Sequence, residues 1–118
     1  MNECHFIGNL TRDPRLTQTK NGSQFVSFGM ATNRWYKRSD GENANEATFL
    51  ECQAWDSGAK AIADKFKCGD RIGVTASAKN IVWVDTEGKE HTSVIFRVSR
   101  FHDLRYKRDN ETLSEGDS

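Results

Sequence analysis

Apolar and polar residues alternate with a period of two over most of this chain. In the run Phe25 to Trp35, Val26, Phe28 and Met30 share one face, and Ser27, Gly29 and Ala31 the other. From Thr48 to Trp55, Leu50, Cys52 and Ala54 oppose Phe49, Glu51, Gln53 and Trp55. Arg71 to Val84 repeats the pattern with Ile72, Val74, Ala76 and Ala78, and His91 to about Leu104 with Val94, Phe96 and Val98. A shorter apolar run, Cys4 to Gly8, ends in GNLTRDP, where Pro14, the only proline, marks a bend. Such alternation predicts half-buried strands. Asn21-Gly22, the stretch Asp40 to Glu46 and the stretch Asp85 to Lys89 read as turns or loops. The period changes once: Ala59, Ile62, Ala63 and Phe66 form one helical stripe, with Asp56 or Ser57 placed to cap its start and Gly69 its end. Three strands, a helix and two strands make an all-β chain. The order is that of a five-stranded Greek-key OB-fold barrel with one α-helix between strands 3 and 4. A small sandwich carrying one helix has a similar pattern.

A strand with one buried face is expected to be polar on the other. Four aromatic residues break that expectation. Trp35 is in phase with Ala31 and Asn33, Phe49 and Trp55 with Glu51 and Gln53, and Trp83 with Lys79. All three tryptophans of the chain belong to this set. Each taken singly fits a second small core, a barrel plug or a subunit interface. Together, with Arg34, Lys37, Arg38 and Lys79 close in sequence, they match what single-stranded nucleic acid requires. Unstacked bases need flat platforms, each worth about 1–3 kcal/mol, and the backbone needs cations. Arg12 and Arg15, after the first strand, are further candidates for phosphate contact, with loop orientation or subunit contact as their alternatives.

Charge changes this picture only slightly. The 118 residues hold 17 basic and 17 acidic side chains, but four of the acids (Asp109, Glu111, Glu115, Asp117) lie at the end, where no Lys or Arg follows. A mildly basic domain, residues 1–106, is therefore expected to carry a short, disordered acidic tail, residues 107–118. The N-terminus, MNECHFIGNL, lacks the basic and apolar segments of a signal peptide, and no apolar run approaches a membrane span. Cys4, Cys52 and Cys68 form no Cys-x-x-Cys and read as reduced, mostly buried thiols of a cytoplasmic protein.

Four segments carry a family resemblance. FIGNLTRDPRL resembles the opening of the bacterial, phage and mitochondrial single-stranded DNA-binding proteins. FVSFGMATNRW is similar to their second strand, WDSGAKAIADKFKCGDRIGVTA to their helix, turn and fourth strand, and WVDTEGKEHTS to their Trp-x-Asp-x-x-Gly hairpin. The resemblance covers Asn2 to Leu104. It implies an OB-fold that binds single-stranded DNA with little sequence preference in replication, recombination and repair. It also implies a homotetramer, with a dimer as the alternative; no cofactor or metal is expected. The family's base-stacking aromatics fall on Trp35, Phe49, Trp55 and Trp83. Two departures matter. Ala76 to Val82 is poorer in Arg and Lys than the family's strand, and NETLSEGDS lacks the acidic Pro-Phe tip through which bacterial members recruit protein partners. The resemblance implies a bacterial cytoplasm, with a chromosomal, phage or plasmid gene.

Catalysis finds no support in motif: there is no His-Glu-x-x-His, phosphate-binding glycine loop or Gly-x-Ser-x-Gly. His5, His91 and His102 are lone histidines, and the adjacent Cys4 and His5 lack chelate spacing for zinc. The remaining alternative is an OB-fold adaptor or replication accessory protein whose aromatic face binds a protein partner.

Overall fold

The computed structural model describes residues 1–105. Its strands follow the alternation. β1 is Cys4–Leu10, β2 Arg15–Gln18, β3 Gln24–Lys37, β4 Asn43–Trp55, β5 Arg71–Val84 and β6 Glu90–Asp103, with α1, Asp56–Lys65, between β4 and β5. The sheet runs β1-β5-β6-β4-β3-β2, and β1 also pairs with β3, which closes β1, β5, β6, β4 and β3 into a barrel. All pairings are antiparallel except β4 with β6. This is the OB-fold, with its helix between the third and fourth barrel strands.

Side chains of even register fill the barrel. Val26, Phe28, Met30, Cys52, Ala54, Ile72, Val74 and Ala76 are buried there, and the helix adds Ala59 and Ile62, with Phe66 just beyond it. Closure is tight where β1 meets β3: Leu10 lies opposite Met30 and Asn9 opposite Ala31. A Cβ on Gly8 would collide with the Ala31 carbonyl, so glycine is required for that approach.

Several local expectations are corrected. β2 is a sixth, short strand; after the bend at Pro14 the chain rejoins the same edge of β3, with Arg15 opposite Ser27 and Gln18 opposite Gln24. Asn43 to Glu46 is strand and not loop, because it pairs with Arg34 to Lys37. Asp56 does not cap α1: it opens the helix at φ 56°, and no side chain bonds the free amides. The helix ends when Phe66 turns extended, and Gly69 serves the following turn, donating its N–H to the Leu10 carbonyl at 2.8 Å. Cys68 is exposed, while Cys52 is buried and Cys4 half-buried. Among the described residues no helix is long and apolar enough to cross a membrane. The acidic tail lies outside the described residues.

Candidate nucleic-acid interface

Because strand partners share a face, register places the off-core aromatics relative to one another. Phe49 lies opposite Ala31, and Trp35 is four residues further along the same face of β3. Trp55 lies opposite Phe25, six residues from Phe49, or about 20 Å along the strand. The outer face continues onto β6, since Gln53 is the parallel partner of Arg97. From β6 it reaches β5 through Ile95 and Lys79, Ser93 and Ile81, and His91 and Trp83. Trp35, Phe49, Trp55 and Trp83 thus occupy one continuous outer face of four strands.

Their environments differ. Trp35 is 70% and Phe49 73% exposed, and each stands on the sheet with a bare ring. Trp83 is 45% exposed; its ring stacks on His91 and its indole N–H donates to Ser93 Oγ at 2.8 Å. Trp55 is half-buried. It packs on Phe25 with centroids 4.9 Å apart, and the Arg97 guanidinium carbon stands 5.6 Å from its centroid. Its Nε1 is buried and meets no acceptor among the described residues.

The cations sort by face in the same way. Lys37 shares the face of Trp35, and Lys79 that of Trp83; both are exposed. Arg15, opposite Ser27, has the register of the outer face. Arg12 lies over the middle of that face. Its Nη2 is 2.6 Å from Glu51 Oε2, and Gly29 makes room for it: a Cβ there would fall 2.6 Å from Arg12 Nη1. Arg34 is not with Trp35. It projects from the opposite face, 3.7 Å from Glu46 and with its guanidinium carbon 5.5 Å from the Tyr36 centroid. Tyr36 itself alternates onto that opposite face. Arg38 sits in the β3–β4 turn, 3.8 Å from Asp40.

Sequence reasoning missed Arg97 and His91. The parallel pairing of β4 with β6 brings Arg97 to Trp55, and no local pattern signals a pairing of 44 residues' separation. His91 was legible only as the first residue of a strand; its partner across the hairpin makes it part of the Trp83 platform. Among the described residues no group of three or more His, Cys, Asp or Glu side chains is arranged to hold a metal ion.

Comparison with known proteins gives a consistent result. Residues 1–104 match the profile described as the single-strand binding protein family. The chain is 38% identical over 103 residues to the single-stranded DNA-binding protein of Mycobacterium leprae, covering 85% of this chain and 61% of that protein. It is 36% identical over 103 residues to the protein of the same description in Mycolicibacterium smegmatis, covering 85% and 62%. Single-stranded DNA-binding protein 1 of Lactococcus lactis is 33% identical over 90 residues, covering 76% and 59%. The chain spans about three fifths of the length of these relatives.

Proposed function

The chain belongs to the single-strand binding protein family, and we propose that it binds single-stranded DNA without reading base sequence. The observation that carries this reading is the continuous outer face on which Trp35, Phe49, Trp55 and Trp83 alternate with Arg12, Lys37, Lys79 and Arg97. Aromatic rings accept any base, and cations follow the backbone irrespective of sequence. The role is to cover and protect single-stranded DNA in replication, recombination and repair, in a bacterial cytoplasm, by binding and not by catalysis.

Self-association belongs to the same proposal. Copies assemble into a homotetramer, with a dimer as its unit, through the outer face of β1 and β5. There Ile7 is 55% exposed, and His5, Gly73, Thr75, His102 and Leu104 line a groove of about 520 Å³ with it. Ile7 and Leu104 are both exposed in this one groove, and a contiguous apolar patch favours burial against a second copy.

Titration with oligo-dT, with tryptophan fluorescence and sedimentation read together, tests both parts. Strong quenching, affinity that falls with salt, and a sedimenting species larger than one chain are expected. Unquenched fluorescence with no complex at low salt overturns the DNA reading; a monomer at micromolar concentration overturns the assembly.

A further inference from the structure

One acidic side chain stands in the middle of the aromatic face. Glu51 lies on β4 between Phe49 and Trp55, directly opposite Gly29. A bare carboxylate there repels phosphate. It is not bare: Arg12 reaches it at 2.6 Å, in a hydrogen bond from Nη2 to Oε2.

The pairing is seated by the chain around it. Thr11 N–H donates to the Gly29 carbonyl at 2.9 Å, Leu10 N–H to the Asp70 carbonyl at 2.9 Å, and Asp13 Oδ1 accepts from the Cys68 amide at 2.8 Å. These bonds hold the segment Leu10 to Asp13 against the barrel and bring Arg12 across the sheet. Gly29 then leaves the space for its guanidinium. Arg12 and Glu51 retain 46% and 44% side-chain exposure, so the pair is open to solvent and to a ligand. An exposed ion pair contributes little to stability. Its position on the aromatic row needs another explanation.

We propose that Glu51 is a phosphate surrogate. In the free protein it holds Arg12 at the centre of the row, and on binding it yields Arg12 to a backbone phosphate. The carboxylate thus keeps the guanidinium in place, and its displacement weakens the complex by the strength of one exposed ion pair. A bidentate guanidinium is suited to the exchange, since it meets carboxylate and phosphate in similar geometry. This inference rests on the proposed DNA-binding reading.

The test uses oligo-dT binding across a range of salt for the wild type, Arg12→Gln, Glu51→Gln and the double variant, each checked for an unchanged melt. The exchange model sets two expectations. Arg12→Gln weakens binding and makes the slope of log K against log salt shallower by about 0.7, one phosphate contact. Glu51→Gln tightens binding by up to about fivefold, the range of an exposed pair, and leaves the slope at its wild-type value. The double variant has the shallower slope of Arg12→Gln. A wild-type slope in Arg12→Gln means that Arg12 never meets phosphate and overturns the proposal. So does a steeper slope in Glu51→Gln, which places Arg12 on Glu51 throughout, or weaker binding, which makes the carboxylate itself a DNA contact. Failure of the wild type to bind at all overturns the DNA reading itself and is distinguishable from these outcomes.

Discussion

Trp83 and His91 lie directly opposite each other on β5 and β6 and stack, with ring centroids 4.6 Å apart and planes 23° from parallel. The arrangement continues into the turn. His91 Nε2 is 2.7 Å from Asp85 Oδ2, and Asp85 Oδ1 accepts from the amides of Glu87 and Lys89 at 2.9 Å each. The turn therefore fixes the imidazole, and the imidazole backs the indole. A platform already held flat loses less side-chain freedom when a base arrives. His91→Ala should weaken oligo-dT binding roughly threefold to tenfold, the worth of one ring–ring contact. His91→Phe should retain most of the affinity. Equal binding by wild type and His91→Ala in a fluorescence titration refutes the role.

The same turn predicts a pH dependence. Asp85 titrates below the ordinary aspartate value of 3.8, chiefly because His91 hydrogen-bonds its carboxylate and then because the Lys89 amide does. A depressed folded-state value stabilises the fold above the ordinary value, and that contribution is lost as pH falls through the lower one. In a variant whose only tryptophan is Trp83, emission should show an acid step as pH falls below the ordinary aspartate value of 3.8. Asp85→Ala should abolish the acid step and show the altered emission at neutral pH.

Two tryptophans on one face should respond differently to truncation. Trp35 is 70% exposed and touches little. Its replacement by alanine should leave the melt nearly unchanged, within about 0.5 kcal/mol, and weaken DNA binding by the loss of one stacked base, about 1–3 kcal/mol. Trp55 packs on Phe25 and shelters its Nε1. Trp55→Ala should cost about 2 kcal/mol of stability, less than a fully buried aromatic, besides its cost in binding. Denaturant melts beside titrations separate the two effects. A Trp55→Ala protein as stable as the wild type would show that its contacts with Phe25 are incidental.

The face of Trp35 was readable before any coordinates, because an unbroken period of two leaves no freedom: once Val26, Phe28 and Met30 go inward, Trp35 goes outward. On β6, by contrast, the register shift opposite Thr75 and Ala76 turns both Val98 and Phe101 to the core. The rule also bears on Arg34, which alternates away from Trp35 although the two are adjacent. Sequence proximity grouped them, and the pleat separates them. β2 escaped notice because four residues after a proline carry too little periodicity to register. Arg12 and Arg97 reach the face through a chain bend and a parallel pairing, and both depend on which strands become neighbours. The helix start misled for a physical reason. Asp56 turns out of β4 with a left-handed backbone and is already the first helical residue, so the cap position falls to Trp55, whose indole N–H cannot accept from the free amides.

Face assignment yields a test among the cations. Lys37 and Lys79 share the aromatic face, whereas Arg34 is turned toward Glu46 and Tyr36. Lys37→Ala and Lys79→Ala should each reduce the salt slope by about 0.7 and weaken binding alike for every sequence. Arg34→Ala should leave the slope unchanged. A slope that falls only in Arg34→Ala would put the backbone on the far side of the β3–β4 arm.

Thiol reactivity should report whether the barrel opens locally beneath the binding face. Cys52 lies inward on β4, opposite Phe28, and its thiol is pushed up to about 12, first by burial and then by the Glu51 charge, against a smaller opposing effect of Arg12. Cys68 stands in solvent after the helix. A thiol-specific reagent at neutral pH should therefore modify Cys68 at once and Cys52 only at the rate of unfolding, because both the reagent and the thiolate are excluded from the core. The raised value also sets an alkaline limit. The contribution of the buried thiol is fully present below its ordinary value of 9.0 and declines as pH rises from there toward 12, where only the unfolded chain readily gives up the proton. Cys52→Ala, though less stable at neutral pH through the lost packing, should lack that alkaline decline. Modification of Cys52 as fast as Cys68, with the melt still cooperative, would mean that β3 and β4 separate without global unfolding. The aromatic row would then rest on a mobile floor, and its platforms would be assembled by the DNA and not before it.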